Sequence, residues 1–211
     1  MKFFKTISLS LILLAVFAGN AQSFKQRLKK TTFVFGLSEH IVIDNGKEYQ
    51  FKFNTKGWQL TPFPSKISAE AYIKKGWSFL TEFAYTKYKI NSIVDNYTLK
   101  KDNSFFSADL NIRYHFETLF LHPSFFDPFL TAGYGFTYRS GVNSTQTAVG
   151  TTNLGLGCNF WIYKGFGISL QSVGKFALKG GSKSNYLQHS FGLVYKLQPL
   201  AAAIKAAKSK K

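Results

Sequence analysis

Apolar and polar residues alternate one for one along several stretches of this sequence, and that period limits what the stretches can form. From residue 106 to residue 117, the even positions are apolar and the odd positions are polar or charged. Successive side chains of a β-strand point to opposite faces, whereas a helix with this pattern would mix both kinds of residue around its surface. The sequence therefore predicts strands with one apolar and one polar face.

Eight segments carry this alternation with varying clarity. They lie at 32–43, 67–74, 77–90, 104–117, 129–139, 153–162, 166–179 and 187–197. Each is about nine to fourteen residues long, which is enough to cross a bilayer as a tilted strand. We therefore expect an all-β fold, an eight-stranded antiparallel transmembrane β-barrel of up-and-down topology. A further alternating stretch, 48–54, is interpreted as part of a long first hairpin.

The connections between the segments differ in length in a regular way. The longer ones would face outward, at 44–60, 91–103, 140–147 and 180–185. The others, at 74–76, 118–127 and 163–165, would face inward, and two of these three are tight. Outer-membrane barrels have short periplasmic turns and longer outer loops. This pattern predicts that both the N-terminus and the C-terminus are periplasmic.

The first 21 residues have the features of an export signal. Lys2 and Lys5 precede an apolar run at 7–18, and small residues at 19–21 resemble a signal-peptidase site. The apolar run is too short to span a bilayer as a helix. We expect a signal peptide at 1–21, a barrel at 22–198 and a basic periplasmic tail rich in Ala and Lys at 199–211. Cys158 is the single cysteine, so the chain has no internal disulfide.

Alternation alone leaves open which face looks inward, because a soluble lipocalin-like barrel shows the same period. The composition of the polar face favours the membrane barrel. It contains many glycines, which weaken a water-facing strand but suit a narrow lumen. Charged residues of both signs on this face can then pair across the lumen. These lumen candidates are Glu70, Glu82, Asp109, Arg113, Arg139 and Lys175.

Aromatic residues on the apolar face are expected to form girdles where lipid meets water. They are Trp77, Tyr85, Tyr114, Phe116, Tyr134, Tyr138 and Tyr195. The formal charge of +17 could also suggest nucleic acid. Export argues against that partner, as does the scatter of the basic residues among turns, strands and tail. The expected surroundings are outer-membrane lipids, and the expected location is the cell outer membrane.

Short stretches at 62–65, 126–135, 153–157, 170–172 and 187–192 carry a family likeness. Because of these stretches, the region from about residue 31 to residue 197 resembles the OmpA-like barrel domain of Bacteroidetes outer-membrane proteins. The resemblance implies a barrel without catalytic residues. It also implies an assembly signal in the last strand, read by the barrel-insertion machinery. Its positions are Ser190, Gly192, Tyr195 and Leu197.

Many relatives in that family continue into a peptidoglycan-binding domain, whereas this sequence ends in a short basic tail. Tail lysines could contact peptidoglycan, anionic lipid headgroups or another envelope protein, or the tail could be disordered. They are Lys205, Lys208, Lys210 and Lys211.

Several histidine, serine and cysteine residues could suggest a chemical site, but a structural role explains them better. His189 and Ser190 are neighbours in a strand, so they point to opposite faces and cannot form a dyad. His115 and Glu117 share a face and could bind a metal weakly, but a lumen hydrogen-bond network is the preferred interpretation. Cys158 would face lipid as a small apolar group. His40 and His122 have no evident partners.

The sequence therefore predicts an integral outer-membrane barrel with a structural, envelope-integrity or surface-interaction role. It is not expected to be an enzyme or to bind a cofactor. The main alternative is a small-solute pore resembling a porin. A soluble, exported lipocalin-like binding barrel and a lipid-modifying barrel enzyme are the remaining alternatives.

Overall fold

The computed structural model describes residues 31–44, 61, 64–94, 97–116, 125–140, 148–178, 185–197 and 199. Ten strands lie within these residues. They are β1 (Phe33–Ile43), β2 (Lys66–Lys74), β3 (Trp77–Tyr88), β4 (Ile93–Val94), β5 (Tyr97–Thr98), β6 (Asn103–His115), β7 (Phe126–Arg139), β8 (Ala148–Tyr163), β9 (Phe166–Ala177) and β10 (Tyr186–Leu197). None of the described residues forms a helix long and apolar enough to cross a membrane.

Eight of the described strands close into an antiparallel barrel in the order β1-β10-β9-β8-β7-β6-β3-β2. Closure comes from the pairing of β1 with β10, which runs from Phe33 opposite Leu197 to Ile43 opposite Leu187. Strands β4 and β5 pair only with each other and form a short hairpin between β3 and β6. The predicted eight-stranded antiparallel barrel is confirmed, and it occupies Phe33–Leu197.

Two of the connections are two-residue turns with the left-handed backbone that such hairpins need. Lys75 and Gly76 have φ of 50° and 84°, and Lys164 and Gly165 have φ of 42° and 89°. Positive φ at both central positions marks the type I′ turn, whose twist matches that of the flanking strands. The turns lie at the end of the barrel that also holds Phe33 and Leu197. We call this the turn end, and the opposite end the loop end.

The barrel is polar inside and apolar outside. On β6, for example, Asp109, Asn111 and Arg113 are buried in the lumen, while Leu110 points outward and is 69% exposed. The same division holds on β8, where Leu154 is 59% exposed and Asn153 is buried. A soluble lipocalin-like barrel would place these apolar residues inside. The outward face is therefore built for an apolar surrounding.

Aromatic side chains gather on the outward face near both ends. At the turn end, the rings of Trp77 and Tyr114 lie 4.8 Å apart, and those of Phe166 and Tyr195 lie 4.4 Å apart. The predicted girdle is wrong in one member. Tyr134 lies in the middle of β7, opposite Leu110, and not at a strand end.

Two of the predicted connections and the start of one predicted strand differ from the structure. The region 91–103, expected to be a loop, contains the β4–β5 hairpin. The inner connection expected at 118–127 lies two residues earlier, because β6 ends at His115 and β7 begins at Phe126. The strand expected at 153–162 begins at Ala148. A proline inside β7 makes the segment look like a turn. On one side of β7, Pro128 pairs with Cys158 of β8. On the other side, β6 has already ended opposite Phe129. The N–H group that Pro128 lacks therefore leaves no gap in the ladder.

Several expectations concern residues outside the described part of the chain. They are the signal peptide, most of the first outer loop with 48–54, the loops at 141–147 and 179–184, Glu117, His122 and the tail lysines.

Candidate functional site: the charged lumen

Inward-pointing charged side chains from five of the barrel strands, together with Asp44 just after β1, meet inside the barrel. We call them the lumen network. In the described residues its members are Asp44, Lys66, Glu70, Glu82, Asp109, Arg113, His115, Asp127, Arg139 and Lys175, all buried. Alternation along each strand places them there, since each occupies the same parity as its buried neighbours. The network links strands that are not adjacent in the barrel.

Glu82 on β3 lies near mid-height and receives three donors. The ammonium of Lys66 on β2 is 2.6 Å from one carboxylate oxygen. The amides of Asn111 and Gln171 donate to the other oxygen at 3.1 and 3.3 Å. Gln171 belongs to β9, on the opposite wall, so this carboxylate is bonded across the full width of the lumen.

Arg113 on β6 connects this level to the turn end. One guanidinium nitrogen donates to Glu70 at 2.7 Å and another donates to Gln171 at 3.0 Å. The guanidinium carbon lies 3.7 Å from the ring centroid of Phe129, a cation–π contact. A planar guanidinium can make all three contacts at once, which an ammonium cannot.

Lys175 on β9 pairs with Asp109 on β6 toward the loop end. Asp109 also accepts hydrogen bonds from Asn153 at 3.0 Å and from Ser107 at 3.5 Å. Because β9 and β6 are three strands apart, the pair spans the lumen. Each charge of this buried pair thus has an oppositely charged partner, and Asp109 also has additional hydrogen-bond donors. Burial of charged groups is tolerable under these conditions.

At the turn end, His115 lies between two carboxylates. Its Nε2 is 2.5 Å from Glu70, and its Nδ1 is 2.9 Å from Asp127. Asp127 also accepts hydrogen bonds from Asn159 at 3.2 Å and from the indole of Trp161 at 3.3 Å. These contacts tie β2, β6, β7 and β8 together close to the turns.

At the loop end, Arg139 on β7 donates to Asp44 at 2.6 Å, and Tyr88 donates to the same carboxylate at 2.9 Å. Around this pair lies an apolar plug, defined as the buried cluster Val42, Tyr88, Val94, Leu99 and Phe105 together with Tyr186. Val94 and Leu99 come from the β4–β5 hairpin and its flank, which therefore folds over the mouth of the barrel. Apolar packing and the Arg139–Asp44 pair thus fill the loop end together.

The signs inside the barrel nearly cancel. In the described part of the chain, the buried lysines and arginines of the network are four and the buried carboxylates are five. An imidazolium at His115, between two of those carboxylates, makes the charges equal. Unpaired buried charges would cost several kcal/mol each, whereas a balanced and hydrogen-bonded set avoids that penalty.

All six predicted lumen charges lie in this network. The sequence analysis missed Lys66, Asp127 and Asp44. Lys66 has the same parity as Glu70 and could have been found by extending β2 one residue toward the N-terminus. Asp127 has the parity of Phe129 but was assigned to a turn because Pro128 follows it. Asp44 has the same parity as His40 and Val42 and could have been found by extending β1 one residue toward the C-terminus.

The serine and histidine residues give no accessible catalytic geometry in the described residues. Ser78 lies 3.4 Å from His115, which in turn contacts Asp127, but its hydroxyl is fully buried and donates to Glu70 at 2.5 Å. His189 points outward while Ser190 points inward, where Lys66 donates to it at 3.3 Å. The described part of the chain also holds no group of His, Cys, Asp and Glu suited to a metal ion.

One expectation about histidine is wrong, and another, the place of His115 in a lumen hydrogen-bond network, is confirmed. His40 has a partner after all, since its Nδ1 lies 2.8 Å from the hydroxyl of Ser65. His115 bonds Glu70 and Asp127 in the described structure. Cys158 lies on the outward face, as its pairing with Pro128 requires. In β10, the proposed assembly-signal residues are split between faces: Ser190 and Gly192 point inward, and Tyr195 and Leu197 point outward.

Comparison with known proteins gives structural matches alone. No protein-family model matches the chain, and no curated protein matches it. Among solved structures, Neisserial surface protein A is 16% identical, with a TM-score of 0.52, and the match covers 80% of this chain and 97% of that one. OprG from Pseudomonas aeruginosa is 11% identical, with a TM-score of 0.52, covering 80% and 96%.

The N-terminal β-barrel domain of Pseudomonas aeruginosa OprF is 12% identical, with a TM-score of 0.51, covering 80% of this chain and 98% of that one. These matches extend over nearly the whole length of each barrel. The chain has the fold of the eight-stranded outer-membrane β-barrels.

Proposed function

We propose that this protein is an integral outer-membrane barrel whose lumen is closed and whose role is structural or one of surface interaction. The observation that carries the proposal is the combination of an apolar outward face with a lumen bridged by ion pairs at successive heights. A polar interior of this kind stabilises a barrel in lipid, where packing of an apolar core is unavailable.

In this proposal the turn end faces the periplasm. The two-residue turns at Lys75–Gly76 and Lys164–Gly165 lie at that end, as short turns do on the periplasmic side of outer-membrane barrels. Phe33 and Leu197 lie there too, so both termini of the barrel would be periplasmic. The loop end, with the β4–β5 hairpin, would then face the outside of the cell.

Conductance decides between a closed barrel and the alternative of a small-solute pore. We expect wild-type protein, refolded and heat-modifiable in gel mobility, to give no steady single-channel current in a planar bilayer. The reason is that contacts of Glu82, Arg113 and Lys175 cross the lumen, while the plug covers the loop end.

Steady wild-type openings whose size changes with Glu82→Gln would establish a pore and refute the closed lumen. Lys74→Gln is the matched control, because Lys74 is exposed at the turn end and removal of its charge should leave any lumen current unaltered.

An enzymatic role is not part of the proposal, and none of the lumen residues is assigned one. The last strand would be read by the barrel-insertion machinery through Ser190, Gly192, Tyr195 and Leu197. These four residues lie on β10, the strand that pairs with β1 to close the barrel. The proposal includes no cofactor.

The tail at 199–211 is proposed to contact peptidoglycan through Lys205, Lys208, Lys210 and Lys211. We expect the intact protein to be retained on purified peptidoglycan and a version ending at Gln198 to be lost in the wash. The retention should weaken with added salt, since exposed charge contacts are screened. Equal retention of both versions would remove the tail from the proposal.

A further inference from the structure

Acidic groups are scarce on the outer surface formed by the residues that the structure describes. Of the acids that the structure describes, Asp102 alone is exposed, while Glu39 is half-buried and the others are buried in the lumen network. Asp102 is also occupied, because one of its carboxylate oxygens accepts the backbone N–H of Ile90 at 2.8 Å. Lysines therefore dominate the exposed charge of the described surface.

Among the described residues, four lysines are exposed near the loop end: Lys87, Lys89, Lys100 and Lys101. Lys87 is on the outward face of β3, and Lys100 and Lys101 precede β6, the strand paired with β3. We call these three residues the basic rim. The register places Lys87 directly opposite Ser104, three residues beyond Lys101, so the lysines belong to one short arc of the barrel.

The chain that carries the rim is held in place. The backbone N–H of Asn91 donates to the carbonyl of Leu99 at 3.0 Å, and that of Leu99 donates to the carbonyl of Ser92 at 2.9 Å. Val94 and Leu99 are anchored in the plug. A surface already ordered in this way loses less conformational entropy when it binds a partner.

The depth of the rim indicates what it meets. Tyr85, Phe106 and Tyr138 are direct cross-strand neighbours on β3, β6 and β7, and all three point outward. Such aromatic rows lie at the boundary between acyl chains and headgroups. Lys87 is two residues beyond Tyr85, roughly 7 Å along the strand and about 5 Å along the membrane normal for a tilted strand.

For Lys87 that height is the level of lipid phosphates, and Lys100 and Lys101 lie farther toward the loop end. A lysine at this position can extend its ammonium toward the phosphate while its stem stays against the apolar wall. We propose that the basic rim binds the phosphate groups of lipid headgroups in the leaflet that surrounds the loop end. With the orientation in the proposed function, on which this inference rests, the ligand is the phosphorylated glycolipid of the outer leaflet.

The test uses the full-length mature protein, refolded in zwitterionic detergent, and fluorescent bisphosphoryl lipid A as the probe. A lysine near an anionic lipid surface contributes roughly a fivefold gain in binding. We therefore expect the triple variant Lys87→Gln, Lys100→Gln, Lys101→Gln to bind at least tenfold more weakly than wild type. The matched control, Lys74→Gln, Lys75→Gln, Lys164→Gln, removes three exposed lysines at the turn end and should change binding less than twofold.

Equal losses in the two triple variants, or no loss in either, would overturn the inference. Inositol hexakisphosphate serves as a soluble competitor. If it displaced the lipid with an affinity that depended equally on the rim, the site would bind soluble polyphosphate and the assignment to lipid would be wrong.

The proposed function is checked separately on the same samples. Heat-modifiable barrels that bind lipid A independently of the rim would refute the inference alone. Failure of the wild type to form a heat-modifiable, membrane-inserted barrel would refute both.

Discussion

Replacing Arg113 with methionine is expected to lower the stability of the barrel by about 3–5 kcal/mol, the usual cost of removing one partner from a buried ion pair. The substitution keeps much of the side-chain volume but removes the donors to Glu70 and Gln171. Glu70 would keep its contact with His115, yet the lumen would hold one more negative charge than it can balance. The guanidinium contact with Phe129 would be lost as well.

The measurement is urea unfolding of the protein in lipid vesicles, followed by tryptophan fluorescence and by gel mobility. A second variant, Arg113→Met with Glu70→Gln, should recover at least about 1 kcal/mol, because it removes the carboxylate left without its cation. Lys164→Met is the control for loss of an exposed lysine and should shift stability by less than about 0.5 kcal/mol. A loss in Arg113→Met as small as in that control would show that the lumen ion pairs do not hold the barrel together.

Gly133→Val is expected to destabilise the barrel by about 3 kcal/mol or more, beyond the usual range for overpacking. Gly133 points into the lumen beside Asn111 on the neighbouring strand. A Cβ atom there would lie 2.6 Å from the Cα of Asn111 and would also strike the carbonyl oxygen of Leu110. These are backbone atoms of a paired strand, so they cannot rotate away as the end of a side chain can.

Gly150→Val provides the matched control. Gly150 lies on the outward side of β8, and the nearest atom to an added Cβ is the flexible Cδ1 of Leu178, at 3.3 Å. We expect this variant to fold with wild-type gel mobility, and Gly133→Val to stay largely in the unfolded band. Similar yields of folded barrel from the two variants would show that the narrow lumen tolerates side chains at Gly133.

The barrel itself could be predicted because one physical rule acts on every strand. With lipid on one side and a polar lumen on the other, the period of two is repeated in each crossing, and glycines mark the narrow side. The same rule placed Glu70, Glu82, Asp109, Arg113, Arg139 and Lys175 inside. Whether a position is odd or even along its strand determines the face on which the side chain lies. This can be read without knowing which strands are adjacent.

The partners of those charges could not be predicted in the same way. Which groups meet across the lumen depends on strand order and register, and these are set by closure of β1 on β10. Sequence alone gives no reason to pair Arg139 with Asp44, 95 positions away. Asp127 was missed for a different reason. Pro128 follows it, and a proline fits a barrel strand at a place where the ladder has already ended on one side, so the segment looks like a turn.

The lumen network also bears on how such a sequence can change over generations. Glu82 and Asp127 each accept hydrogen bonds from residues on two or more strands, so a new residue at either position must suit several others at once. Outward positions such as Leu110 have only to remain apolar, and many residues meet that demand. Substitutions should therefore accumulate freely outside and in coordinated sets inside. Two sequences can then share one fold at the 11–16% identity that this chain has with the solved barrels it matches.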